Sequence, residues 1–123
     1  MAKVAVLLAL AAGPGFPEGS SDHQFEVTLA LDAAGRPDVA AWWADPAPWP
    51  ARRFAPGKPP AQGDVQHDAD HGWSVRLFGP EGEGPDAPET RLDFGTQPVR
   101  PGEHVTVTEP DGSAFAYRVV GVG

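Results

Sequence analysis

The chain has 123 residues, 17 acids against 9 Lys and Arg, a formal charge of −8, and no cysteine. A chain of that length matches a single β domain over residues 1–123, able to bury one modest core without disulfides or a metal. The missing thiols exclude disulfides, cysteine zinc sites, iron–sulfur clusters and cysteine nucleophiles. The charge disfavours nucleic acid, whose binding rests on neutralising phosphates with Lys and Arg. Arg outnumbers Lys, and Ala, Gly and Pro are abundant, the bias of a GC-rich, bacterial coding sequence.

Val4 to Leu10 is an apolar run that reads as a buried strand. Residues 1–12 also match a weak signal peptide, with Lys3 as the charged region and Ala11-Ala12-Gly13 as a cleavage site. The strand reading goes with a cytoplasmic protein and the signal reading with an exported one. No stretch approaches the ~20 apolar residues of a membrane-spanning helix, so no membrane partner is expected.

The glycine-rich loop from Gly13 to Ser21 is a poor phosphate cradle. Pro14 and Pro17 remove amides, Glu18 repels phosphate, and a strand follows where a helix would be needed. In that strand Phe25, Val27, Leu29 and Leu31 alternate with polar residues, so one face is buried. The turn from Asp32 to Arg36 feeds Asp38 to Trp43, which reads as a strand, with a short helix near 37–44 as the rival.

Pro46 to Pro60 holds six prolines in fifteen residues and is expected to run as a surface loop outside the sheet. Within it, Arg53 to Pro59 matches the arginine-plus-PxxP spacing that SH3-like domains read, a pattern common wherever proline is common. Arg52 and Arg53 are expected to neutralise nearby acids.

Asp64 to His67 pairs with Trp73 to Phe78 across an Asp- and Gly-rich loop. That loop gathers His67, Asp68, Asp70 and His71, oxygen and nitrogen donors suited to a first-row metal. It lacks both the calcium-loop glycine and glutamate positions and the zinc-protease helix motif. Alternate residues of a hairpin also diverge to opposite faces.

Gly79 to Pro88 reads as a flexible acidic loop, and Glu89 to Phe94 as a further strand. The C-terminal hairpin is the clearest. Glu103 to Thr108 turns at Glu109-Pro110-Asp111-Gly112 and returns through Phe115, Tyr117, Val119, Val120 and Val122. The run from Pro101-Gly102-Glu103 through Asp111-Gly112 to Tyr117-Arg118-Val119 is similar to the late hairpin of sortase-type barrels. The resemblance implies a barrel hairpin only, because those enzymes use a catalytic cysteine.

The expected fold is therefore all-β, an antiparallel barrel or sandwich of about six to eight strands. Function is less legible. No serine sits in a nucleophile elbow, and none of the patterns above assembles a catalytic set. The unusual resource is four tryptophans, Trp42, Trp43, Trp49 and Trp73, interleaved with proline. They suit either a seal over one end of the core or an aromatic platform for a sugar, peptide or hydrophobic small molecule. The reading is a non-enzymatic binding or interaction module without a cofactor, whose partner is a small molecule, glycan or protein. The alternative is a metal-binding protein or metal-dependent hydrolase using His67 to His71.

Overall fold

The strand from Ser20 to Ala30 (β2) sets the architecture. Its alternation places Phe25, Val27 and Leu29 fully inside while the residues between them face out. It pairs antiparallel with Lys3–Leu10 (β1), which contributes Val6, Leu8 and Leu10 to the same interior. In the computed structural model, which describes residues 3–13, 16–78 and 89–123, these two strands begin a closed eight-stranded barrel. The rest are β3 (Pro50–Phe54), β4 (Ala61–Asp68), β5 (Gly72–Phe78), β6 (Glu89–Asp93), β7 (His104–Thr108) and β8 (Ala114–Val122). Each strand pairs with its neighbour in sequence, and β8 closes on β1. Among the described residues every strand has a neighbour on both sides, which removes the usual template for edge association.

The all-β expectation holds, and the barrel is the form it takes. The hairpins of β4 with β5 and of β7 with β8 fall where turn chemistry places them. The proposed Gly79 to Pro88 loop lies outside the described residues. Among those described, no helix is long and apolar enough to cross a membrane.

Two local first choices fail. The segment from Asp38 to Trp43 is not a strand; the rival reading, a short helix near 37–44, holds instead as α1 (Val39–Ala44). The Asp38 side chain accepts from the Ala41 amide at 3.0 Å, capping the first turn. Ala40, Ala41 and Ala44 tolerate the helix at little cost.

The second failure is the proline-rich loop, which contains barrel strand β3. Pro50 sits at its first position, where a missing amide breaks no ladder, and Ala51 to Phe54 carries the pairing to β2 and β4. Opposite it, Gly63 on β4 is buried so closely against β5 that an added Cβ would collide with the Arg76 carbonyl. Small residues at Ala51 and Gly63 let the sheet turn tightly there.

An up-and-down barrel sorts its connections between two ends. The β1–β2, β3–β4 and β7–β8 turns lie at one end. The β2–β3, β4–β5 and β6–β7 connections lie at the other, and α1 is part of the long β2–β3 connection.

Candidate functional site

The α1 end is sealed with indole rings. Trp49, just before β3, is 1 % exposed, and Trp73, at the start of β5, is 9 % exposed. Their rings stack with centroids 6.0 Å apart and planes 12° from parallel. Trp42 from α1 stands edge-on to Trp73 at 6.5 Å. Its Nε1 donates to the Val65 carbonyl at 3.0 Å, pinning the helix to β4. Trp49 Nε1 donates to Asp45 Oδ2 at 2.9 Å, and Lys3 Nζ reaches the same oxygen at 3.0 Å. The Ala47 amide above all, then these two donors, hold the Asp45 carboxyl down at about 2. The Trp42 and Trp49 indole N–H groups thus each have an acceptor, as burial requires.

Trp43 is the exception. A strand would send it opposite Trp42; the helix instead turns it outward, 65 % exposed, edge-on to Trp42 at 4.9 Å. Beside it is a shallow groove of about 260 Å³ lined by Trp42, Asp45, Pro46, Pro48, Asp64 and Gln66. Burial pushes the Asp64 carboxyl up, with Arg76 partly opposing it.

The same end divides the His–Asp loop. His67 turns its ring against Trp73 at 4.7 Å and Trp42 at 6.2 Å, becoming a member of the aromatic seal. His71 and Asp68 remain exposed on the β4–β5 turn, 3.6 Å apart. The Asp68 carboxylate accepts from the Asp70 amide at 2.7 Å, an ordinary turn bond. Among the described residues no three His, Asp or Glu side chains come close enough together to hold a metal ion. A wide recess of about 780 Å³ lies nearby, between Arg36, Asp38, His71, Trp73, Arg91 and Asp93. Its rim carries solvated charges of both signs, so it excludes water poorly despite its size.

Among the described residues the opposite end is left open. A cavity of about 530 Å³ enters the barrel between Leu10, Phe16, His23, Arg53, Phe115 and Tyr117, with the β7–β8 turn as its remaining wall. Alternation along β3 turns Arg52 outward to Glu26, and Arg53 inward. The Arg53 guanidinium lies 4.9 Å from the Phe25 ring centroid. It donates from Nη1 and Nη2 to the two Glu109 oxygens at 2.9 and 2.7 Å, a bidentate clasp from the barrel wall to the turn. Burial works against the Arg53 charge, but Glu109 overcomes it and raises the pKa above the usual arginine value. Tyr117 packs edge-on against Phe25 at 5.3 Å, and burial raises its phenol pKa, assisted by the Glu109 charge and opposed by Arg53. On the other wall His23 Nδ1 lies 3.0 Å from Ser20 Oγ, and its ring meets Phe16 at 5.1 Å. Asp111 faces the cavity from the turn, and the Ser113 amide lowers its carboxyl pKa.

Sequence reasoning gathered none of these open-end residues. Arg53 was legible as a charge but not as an inward one. Its parity follows only once Ala51 is known to lie inside a strand. Glu109, 56 positions away, reads as a turn residue until the barrel brings it to Arg53.

No protein-family model, curated protein or solved structure matches this chain.

Proposed function

We propose that this protein is a non-enzymatic binding module that takes a small amphipathic molecule into the open end of its barrel. One observation carries the reading: a cavity of about 530 Å³, walled by aromatic and aliphatic side chains, converges on a fixed polar set at one end only. Barrel mouths with apolar walls and a few placed polar groups are common small-molecule sites. The clasp of Arg53 to Glu109 fixes part of the polar geometry before anything binds, so little ordering cost remains for the complex. At the opposite end indole rings fill the described interior, and the wide recess beside them is rimmed by solvated charges.

The test is a two-dimensional NMR titration with a panel of small amphipathic compounds. The chain has a single tyrosine, so Tyr117 gives one unambiguous ring signal, and His23 gives a second on the far wall. Saturable shifts at both, with the indole signals unmoved, are expected. If no compound moves either ring, the reading fails.

A second reading concerns Trp43, whose exposed face beside Pro46, Pro48 and Gln66 suits stacking of a sugar ring or a proline-rich peptide. Shifts confined to the Trp43 indole on titration with a glycan panel would favour it.

A further inference from the structure

The hydrogen-bonding inventory of the open end selects among ligand charges. Among the described lining residues Arg53 is the one fixed cation. Its guanidinium is engaged on three sides, by Glu109 through two bonds, by Phe25 below and by Tyr117 beside it. A carboxylate ligand could claim it only by displacing Glu109, whose side chain is just 16 % exposed and would lose its partner.

What remains free is a set of acceptors. Each carboxylate oxygen has more than one lone-pair site, so Glu109 keeps accepting capacity beyond Arg53. Asp111 adds a second carboxylate on the β7–β8 turn, which accepts from the Ser113 amide and hydroxyl and keeps further lone-pair sites. Among the described lining residues the clasp is neutral as a pair and Asp111 adds a negative charge at the turn, with the His23 imidazole on the far wall. Phe16 and Phe115 supply half-buried ring surfaces that attract both an apolar body and a cation. The chain's charge of −8 adds a far field of the same sign.

We infer that the ligand of the open end is a small organic ammonium ion with an apolar body, its charged head held at the Glu109–Asp111 turn and its body between Phe16 and Phe115. The inference rests on the open end being the binding site.

A matched series separates the two claims. The intact protein is titrated at low salt and neutral pH with phenethylammonium, phenethyl alcohol and phenylacetate, three probes of one shape and different charge. Shifts at Tyr117 and His23 report binding. The ammonium is expected to bind most tightly and to weaken as salt rises. Asp111→Asn keeps an acceptor for the Ser113 amide and removes the charge, so the variant retains the turn. It is expected to weaken ammonium binding roughly three- to five-fold and leave the alcohol unchanged. If phenylacetate binds as tightly as phenethylammonium, or Asp111→Asn leaves ammonium affinity unchanged, the ligand class is overturned while the binding site stands. If none of the three probes moves either ring, the site falls and the ligand class with it.

Discussion

The two ends of this barrel solve the same problem in opposite ways. At each, inward-facing residues run out and the core must meet water. At the α1 end the long β2–β3 connection lays a helix and a tryptophan-bearing segment across the opening. Trp42, Trp49, Trp73 and His67 fill it with ring against ring. At the other end, among the described residues, a charged pair ties wall to turn around a cavity. The difference lies in how each end meets water. The aromatic seal gives up volume for buried area, whereas the clasp holds a shape without filling it.

Substitutions at each end test that contrast. The largest effect is expected from Trp49→Ala, which opens a void among fully buried rings. Urea unfolding should register a loss of about 3–5 kcal/mol. A cost near that of an exposed tryptophan would break the view of this end as a seal.

Next comes the clasp. Glu109→Gln leaves Arg53 half-buried without its carboxylate and is expected to cost about 1–3 kcal/mol. A double-mutant cycle with Arg53→Met should recover a favourable coupling between the two positions. An absence of coupling would mean that the pair does not hold the open end together.

Acid should act on the sealed end through Asp45. Its carboxyl is held at about 2 against an ordinary 3.8, so its donors stabilise the fold above that ordinary value. The contribution fades as pH falls from about 4 toward 2. Melting temperatures of the wild type and Asp45→Asn should therefore converge over that interval, with tryptophan emission reporting the change.

The smallest effect is expected from Trp43→Ala. The ring is mostly in water already, so stability should change by no more than about 0.5 kcal/mol. A loss matching Trp49→Ala would show that Trp43 belongs to the seal and not to a surface platform.

Legibility in the sequence followed locality. The alternation from Phe25 to Leu31 and the hairpins turning at Asp68 and at Asp111 each announced themselves, because side-chain period and turn chemistry are properties of neighbouring residues. Strand β3 was hidden by its prolines. Pro50 and Pro56 lie at or beyond its ends, so the five residues that pair are nearly free of them. Helix α1 was legible only as the rival reading because two adjacent tryptophans favour a strand, while its deciding feature is a single capping bond from Asp38.

The candidate sites depended on distance along the chain. The sequence by itself determined that the protein is acidic, free of thiol chemistry and built from paired strands. Those properties follow from composition and short-range pattern. Tertiary structure alone decided that three tryptophans become a seal while a fourth faces water. It also decided that His67 joins aromatic rings while His71 stays on the turn, and that Arg53 meets Glu109. Barrel closure decides these, because it fixes which residues face inward at each end and brings together side chains that no local rule relates.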